Sequence, residues 1–488
     1  MVCALTAIIA EGLVLINIHL SNEFLQLVRK RGMILTKAEK EMLVLLTVLT
    51  FICIDLLGIG QHLVFAKTVF SEPVELDSEG GVLHAKITAA KQESHLAGRQ
   101  ITTLVYNGML VGPTLRVSPG DRIELMLVNR LDESTNLHFH GLHVSPSGDA
   151  DNVFREVGPG ETAKYVIDIP ADHPPGTFWY HSHQHHLSYK QVSGGLSGLI
   201  VIDGLSDLLP ETLRDIQQRT FAIRDFVVSN DSNVPTQRTI NGEINPGLTI
   251  APGETQLWRL ANIGSETFYH IVLPGHVFHV IAEDGMPVWQ VWDSNRLLLP
   301  SGKRYEVLVT GGSLGTHPLI ALHYHEGCVV CPVVTLATVN VEGSTAVPKA
   351  LPASLIPPND LEGKIIDHRR TLVFSSDDEE GHYMIDYKMF DPKRVDQHVR
   401  LGDLEEWTLR NIDDDEHPFH IHINDFQVMS VNGQPYRARG LQDTVVLPGH
   451  GQVVIRIPFE DFSGKFVYHC HIMFHGDGGM MGVVEVVK

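Results

Sequence analysis

Near the carboxyl terminus a cysteine lies between two histidines, and a third histidine and a methionine follow. The run is His469-Cys470-His471, with His475 five residues and Met480 ten residues after the cysteine. A thiolate, imidazoles and a weak axial thioether are the ligand set of a blue-copper electron-transfer site. The spacing therefore predicts a metal site at Cys470 that takes up and releases single electrons.

The residues before this cysteine, Phe466, Val467 and Tyr468, predict a β-strand. Side chains alternate between the two faces of a strand, so His469 and His471 should point away from Cys470. A metal on Cys470 and a metal cluster on the two histidines would then lie about 10 Å apart, on opposite sides of one backbone. Such a strand would connect two redox sites.

The chain also contains a threefold internal repeat. Segments 120–129, 253–262 and 402–411 each begin with a glycine, continue as an alternating strand and end nine residues later with an asparagine. Short strand-like runs with Gly/Pro turns lie between them, and no long helical periodicity interrupts them. This pattern is typical of β-sandwich domains.

Two proline-rich stretches, 204–210 and 347–358, indicate linkers. The sequence therefore predicts an all-β protein with three sandwich domains, at 67–205, 206–350 and 351–488.

The repeat predicts which histidines correspond. Nine and eleven residues after the asparagine, the first domain has His138 and His140, and the third domain has His420 and His422. The middle domain has apolar residues at these positions.

A later match aligns His181 and His183 with His469 and His471, and places Ser182 where the third domain has Cys470. The repeat thus predicts one metal centre between the first and third domains, and a cysteine-containing site within the third.

These residues resemble the motifs of the three-domain multicopper oxidases, a family that includes bacterial laccases, copper-efflux oxidases and bilirubin oxidases. The resemblance covers about residues 75–488 and implies three cupredoxin-type Greek-key β-sandwiches. The motifs are His138-Phe-His140-Gly, His181-Ser-His183, His417-Pro-Phe-His420-Ile-His422 and His469-Cys470-His471-x3-His475-x4-Met480.

The resemblance implies four coppers per chain. One type 1 copper would be bound by His417, Cys470 and His475, with Met480 as the axial ligand. One type 2 copper would be bound by His138 and His420. The type 3 pair would be bound by His140, His181, His183, His422, His469 and His471.

The implied reaction removes single electrons from a reducing substrate at the type 1 site. Cys470 would relay them to His469 and His471, and the clustered coppers would reduce O2 to two waters with four electrons.

Reduction of O2 consumes protons, and a carboxyl group near the cluster is the natural donor. In bacterial relatives such an acid lies eleven residues after the first type 2 histidine, which here implies Asp149, with Asp151 close by. Many relatives have a second acid directly after the second type 1 histidine. That position is Gly476 here, and Asp477 follows it, so the second donor is left open.

The substrate is the least determined part of the function. The body of the chain has no Met-rich run, which favours a laccase-like site for phenols or other aromatic reductants. Asp425 and the acidic loop 375–380 could bind a metal cation or orient a phenol. A metallo-oxidase acting on Cu(I) or Fe(II) is the alternative, followed by a non-catalytic exported copper-binding protein.

The composition bounds the partners. The net charge of -21 argues against nucleic acid as a partner. We also expect the protein to be a monomer. Five cysteines provide no disulfide framework. Cys328 and Cys331, which follow His323 and His325, are interpreted as a loop dithiol or local disulfide rather than a metal site.

The first 66 residues differ from the rest. An apolar run at 43–54 follows Lys37 and Lys40, and a second apolar stretch covers 2–28. We interpret residues 1–66 as a signal peptide or an N-terminal membrane segment, with Met33 as an alternative start. The segment predicts an exported, periplasmic protein whose membrane attachment, if any, is through this terminus.

Overall fold

The computed structural model describes residues 68–229, 236–327, 330–377 and 380–488. The predictions for residues 1–66 and for Cys328 lie outside these ranges. No helix among the described residues is long and apolar enough to cross a membrane.

From residue 68 to residue 205 the chain forms ten strands and one helix, α1 (Ser188–Gly194). The strands are β1 (Thr68–Val69), β2 (Glu75–Asp77), β3 (Val82–Leu96), β4 (Arg99–Tyr106), β5 (Gly112–Val117), β6 (Arg122–Asn129), β7 (His138–His140), β8 (Thr162–Asp168), β9 (Gly176–His181) and β10 (Ser197–Ile202).

The middle part begins with two 3-10 turns, Leu205–Leu208 and Glu211–Leu213. Its strands are β11 (Gln218–Phe226), β12 (Gln237–Ile240), β13 (Pro246–Ile250), β14 (Thr255–Asn262), β15 (Tyr269–Val272), β16 (Phe278–Glu283), β17 (Met286–Ser294), β18 (Leu297–Leu299), β19 (Arg304–Thr310), β20 (Gly315–Leu322), β21 (Tyr324–His325), β22 (Val330–Cys331) and β23 (Val334–Val341).

The last part contains a short helix, α2 (Met473–Asp477). Its strands are β24 (His368–Asp377), β25 (His382–Ile385), β26 (Gln397–Arg400), β27 (Leu404–Asn411), β28 (His417–Ile421), β29 (Gln427–Val431), β30 (Gln434–Pro435), β31 (Thr444–Leu447), β32 (Gln452–Pro458), β33 (Gly464–Cys470) and β34 (Met481–Val487).

The strands form three two-sheet sandwiches, as the sequence predicts. Sheets β4-β3-β6-β8 and β2-β5-β10-β9-β7 make the first. Sheets β12-β11-β14-β19-β16-β17 and β1-β13-β23-β20-β15-β18 make the second. Sheets β25-β24-β27-β32-β29-β30 and β26-β34-β33-β28-β31 make the third. Strand β1 pairs with the middle sandwich although its residues precede the first, and the domain boundaries at 205 and 350 stay predictions.

Each pair of sheets encloses a buried apolar core, because the inward residues of the alternating strands meet between them. The three repeated strands, β6, β14 and β27, occupy equivalent places. Each has a parallel neighbour on one side and an antiparallel neighbour on the other.

The asparagine that ends each repeated strand has a common role. The side-chain amide of Asn129 donates to the backbone oxygens of Glu133 and Val157, and its oxygen accepts the amide of Leu131. Asn262 and Asn411 make the corresponding bonds in their own loops. In the first and third sandwiches this fixed loop leads into the strand that carries a His-x-His pair.

Candidate metal centre

A buried triangle of ligand atoms surrounds the cysteine of β33. The Cys470 Sγ atom lies 3.7 Å from the Nδ1 atoms of both His417 and His475, which are 3.3 Å from each other. A point equidistant from the three atoms lies about 2.1 Å from each, within the range of metal–nitrogen and metal–sulfur bonds. The donor set and its trigonal shape fit a blue-copper site.

The third sandwich holds this triangle in place. Met480 is buried in the same core, its backbone oxygen accepts the Cys470 amide at 3.0 Å, and its own amide donates to the His475 backbone oxygen at 2.9 Å. The other ring nitrogen of His417, Nε2, lies 3.0 Å from Asp413 Oδ2. A proton held there leaves Nδ1 free to bind a metal.

Burial raises the pKa of the Cys470 thiol. A thiolate at this position therefore depends on a bound cation for its charge balance. Burial also keeps His475 neutral by lowering its pKa well below the ordinary value.

Eight further histidines meet between the first and third sandwiches. Their ligand atoms form groups in which all atoms lie within 4.8 Å of one another, and all eight residues are buried. The groups are His138 with His140 and His420, His140 with His181 and His471, and His183 with His422 and His469.

The paired strands explain this symmetry. In the first sandwich β7 lies antiparallel to β9, with His138 opposite His181. In the third, β28 lies antiparallel to β33, with His420 opposite His469. The end of β33 contributes to three groups: His469 and Cys470 from the strand itself, and His471 from the residue directly after it. The predicted alternation along this strand is thus present.

The imidazoles direct one nitrogen to a protein partner and the other to the centre. His138 Nδ1 faces Asp151, and His420 Nδ1 donates to the Asp443 backbone oxygen at 2.8 Å. The Nε2 atoms of His138, His181 and His420 have no hydrogen-bond partner in the described ranges. Unpaired buried ring nitrogens are costly in a protein without a ligand, so these atoms fit metal binding.

The remaining nitrogens converge in the same way. His183 Nε2 and His422 Nε2 each lie 3.2 Å from His469 Nε2, and His140 Nδ1 lies 3.2 Å from His471 Nε2. Atoms that share a metal at about 2.0–2.1 Å are themselves about 3 to 3.5 Å apart.

Burial lowers the pKa of all eight histidines, to about 3 for His181 and His469 and to about 4 for His420. Most of them are lowered further by neighbouring imidazoles. Neutral rings keep their lone pairs available, which is the form that binds copper.

The first sandwich lacks a cysteine site because polar groups fill the equivalent space. Ser182 Oγ, which corresponds to Cys470, donates to Gln191 Oε1, and Thr135 hydrogen-bonds to both residues. A hydroxyl and an amide satisfy one another here, so the site offers no soft ligand for copper.

The middle sandwich contributes partners that the sequence did not indicate. Ser301 Oγ lies 3.0 Å from His471 Nδ1. Arg304 donates to both carboxylate oxygens of Asp443, at 2.9 and 2.7 Å, and Asp443 Oδ1 lies 3.1 Å from His140 Nε2. A sandwich without clustered histidines thereby orients ligands of its neighbours.

The acid near the cluster is Asp151 and not Asp149. Asp149 lies on the outside of the turn, where its 61% exposed side chain pairs with Arg155. Asp151 is buried, accepts the Phe139 amide at 3.0 Å, and has both oxygens 3.0 Å from His138 Nδ1. Counting eleven residues from His138 leads to Asp149, whereas the carboxyl group that points towards the cluster belongs to Asp151, two residues later.

Two other predicted acids have different surroundings. The Asp477 carboxylate accepts the amides of Ser188 and Tyr189 at the start of α1. Asp425 lines a cavity of about 470 Å³ between the first and third sandwiches.

Comparisons with known proteins identify the class of protein. Three family models, each described as multicopper oxidase, match residues 88–207, 200–325 and 367–488. The chain is 30% identical over 404 residues to the multicopper oxidase mco of Staphylococcus epidermidis, covering 79% of this chain and 84% of that one. It belongs to the multicopper oxidase family.

Solved structures agree. A multicopper oxidase from Campylobacter jejuni, described as a metallo-oxidase, has a TM-score of 0.76 at 26% identity, covering 87% of this chain and 96% of that one. A laccase-like multicopper oxidase from Ochrobactrum sp., with activity towards lignin model compounds, has a TM-score of 0.74 at 25% identity, covering 86% and 100%. The sandwiches are cupredoxin-type, as expected.

The cofactor follows from the family. A multicopper oxidase takes four coppers per chain, one type 1, one type 2 and two type 3, and the buried groups around Cys470 and the eight histidines fit them. The chain is a copper-dependent oxidoreductase that uses O2 as its acceptor.

Proposed function

We propose that this oxidase couples one-electron oxidation of a phenolic or other aromatic reductant to four-electron reduction of O2, with each copper bound as the sequence predicts. His417, Cys470, His475 and Met480 hold the type 1 copper. His138 and His420 hold the type 2 copper, and His140, His181, His183, His422, His469 and His471 hold the type 3 pair. The observation that carries the proposal is the membership of adjacent β33 residues in separate ligand groups.

When bound, the coppers supply one-electron redox chemistry at the type 1 site and four-electron chemistry at the cluster. The protein supplies the connection. His469 and Cys470 end the hydrogen-bonded strand β33, and His471 follows directly with its amide bonded to the Pro418 oxygen, so the relay needs no moving part. The eight buried histidines would hold the three cluster coppers together and away from solvent.

Asp151 is the proton donor beside the type 2 ligands in this proposal, in place of Asp149. Burial raises its pKa to about 8, so the carboxyl holds a proton near neutral pH. A group whose pKa lies near the working pH both keeps and releases a proton effectively.

Aromatic groups at the type 1 site favour an aromatic reductant. The ring of Tyr383 stacks on His475 with centroids 4.2 Å apart and an interplanar angle of 14°. Phe474, next to His475, is 51% exposed and contacts Tyr383 edge-on. A flat substrate ring that packs against Phe474 would lie close to this histidine.

A metal ion is the second candidate reductant, because acids surround His417. Asp413 accepts its hydrogen bond, and that bond holds the Asp413 pKa below the ordinary value although burial acts in the opposite direction. Asp415 and Glu326 lie close enough for their charges to raise the pKa of Cys470. Carboxylates that stay ionised would attract Cu(I) or Fe(II).

Two variants separate these substrates. With copper-loaded protein and a panel of phenols, Cu(I) and Fe(II), Phe474→Ala should raise KM for phenols several-fold and leave metal-ion oxidation within twofold. Asp415→Asn should do the reverse; Asp413 is kept because it hydrogen-bonds to the ligand His417. If neither reductant class supports O2 uptake while copper is bound, the remaining alternative, a non-catalytic copper-binding protein, replaces the proposal.

We further propose that residues 1–66 direct export to the periplasm.

A further inference from the structure

The short helix that carries His475 depends on contacts with other parts of the chain. Helix α2 has five residues, and the side chain of Ile472, the residue before it, makes no capping hydrogen bond. A helix of this length does not form by itself in water, because its few hydrogen bonds do not offset the cost of ordering the backbone. The position of His475 is therefore set by what α2 contacts.

The second and third sandwiches hold the first part of α2. The Met473 amide donates to the Ser265 backbone oxygen at 2.9 Å, and the Met473 side chain is buried in an apolar cluster with Ala261. The Met480 amide donates to the His475 backbone oxygen, also at 2.9 Å. These contacts fix the helix up to His475.

The last residue of α2, Asp477, connects the helix to the first sandwich. Its carboxylate accepts the Tyr189 amide at 2.8 Å through Oδ2 and the Ser188 amide at 3.3 Å through Oδ1. Its backbone oxygen lies 3.1 Å from His186 Nδ1. One residue of α2 thus makes three polar contacts with the segment at the start of α1.

Helix α1 needs an acceptor at this place because its own sequence does not supply one. The amides of the first turn of a helix have no partner within the helix, and a carboxylate oxygen is among the preferred caps. The residue before α1 is Leu187, whose apolar side chain cannot accept a hydrogen bond. Asp477 provides the cap from the third sandwich, 289 residues after Ser188.

The same connection places an aromatic contact beside the type 1 ligands. The Tyr189 ring meets the Phe474 ring edge-on, with centroids 5.6 Å apart. The Tyr189 hydroxyl donates to Glu266 Oε1 at 3.2 Å. Tyr189 is therefore fixed by Asp477 at its backbone and by Glu266 at its side chain, and it packs against the residue that precedes His475.

We propose that Asp477 is a positioning residue for the type 1 site: by capping α1 from another sandwich, it holds α2 and with it His475 and Phe474. This inference rests on the proposed function, in which His475 binds the type 1 copper. It gives Asp477 a role different from that of a second proton donor, because the residue acts through the position of His475.

The test uses the copper-loaded protein and Asp477→Ala, which removes both acceptor oxygens. We expect a changed hyperfine pattern of the type 1 copper in the electron paramagnetic resonance spectrum, and removal of this copper by a chelator about tenfold faster. Asp477→Asn removes the charge but keeps one acceptor oxygen for the Tyr189 amide, so it should restore most of the spectrum of the unchanged protein.

Asp121→Ala is the matched control for general destabilisation. Its carboxylate also caps a backbone amide, that of Ser118 at 2.8 Å, but does so in a turn of the first sandwich. The type 1 spectrum should stay unchanged in this variant, and the rate of copper removal should stay within about twofold.

Hydrogen exchange in the copper-free protein tests the connection without any metal. The amides of Ser188 and Tyr189 should exchange about tenfold faster or more in Asp477→Ala, because they lose their acceptor. The amides of the central strand β6 should be unaffected.

An unchanged type 1 spectrum in Asp477→Ala, or an equal change in Asp477→Asn or Asp121→Ala, would overturn the inference. If the unchanged protein binds copper without a blue absorption band, the proposed role of His475 fails, while hydrogen exchange still tests the contact between α2 and α1 by itself.

Discussion

Replacing Asp151 by asparagine should slow O2 reduction and leave reduction of the type 1 site unchanged. The Asp151 side chain is fully buried, accepts the Phe139 amide, and has both oxygens 3.0 Å from His138 Nδ1. Asparagine has the same shape as the protonated carboxyl group and keeps its carbonyl oxygen as an acceptor. It has no acidic proton to give.

The size of the effect follows from these contacts. Weakening a hydrogen bond of a neutral, protonated carboxyl group costs only about 0.5–1.5 kcal/mol, which corresponds to about 2–10-fold. Loss of a general acid costs about 10²–10⁴-fold. We expect a fall in kcat of about 100-fold, measured by O2 uptake, with the rate of anaerobic blue-band bleaching unchanged.

Asp149→Asn is the matched control. It makes the same substitution two residues away, in an exposed ion pair with Arg155 that contributes at most about 1 kcal/mol to stability. Turnover should remain within twofold. A loss in Asp149→Asn as large as in Asp151→Asn would refute the assignment, as would full activity in both variants.

Two other predictions concern steric packing next to the copper ligands and the protonation of a buried acid. Gly141→Ala should destabilise the protein by more than about 3 kcal/mol, because Gly141 has φ +83° and a Cβ would lie 2.5 Å from Arg304 Nη2 and Asp443 Oδ2. The control is Gly80→Ala, at φ +60° with open space around it, which should cost only about 1–2 kcal/mol. If both variants lose the same amount in Tm, the close contacts at Gly141 do not explain its effect. Burial raises the Glu266 pKa to about 7 from an ordinary 4.5, so folding favours its protonated form, and the stability penalty grows between these pH values. Glu266→Gln should therefore raise Tm above pH 7, by an effect worth about 3 kcal/mol, and leave it unchanged below pH 4.5; a gain independent of pH would contradict this origin.

The sequence predicted the parts that are governed by local pattern. Alternation at the end of β33 separates Cys470 from His469 and from His471, the next residue, and the equal spacing after Asn129 and Asn411 predicts the two matching His-x-His pairs. These predictions succeed because strand periodicity and a fixed asparagine loop determine where the side chains point.

The residues that hydrogen-bond to the histidine ligands could not be predicted from such local patterns. Asp443 reaches His140 across 303 residues of chain, and Arg304 reaches Asp443 from another sandwich. No pattern in the neighbouring sequence marks either residue as a partner of the ligands. The direction of the acids could not be predicted for a related reason: loop residues do not follow a fixed period, so Asp149 faces outward and Asp151 faces inward.

The stoichiometry of O2 consumption tests the central claim most directly. With a one-electron phenolic donor, a cluster that holds all its coppers should consume one O2 for every four electrons and release no hydrogen peroxide. One O2 for every two electrons, with peroxide in the medium, would contradict the assignment of the eight histidines to a single four-electron centre.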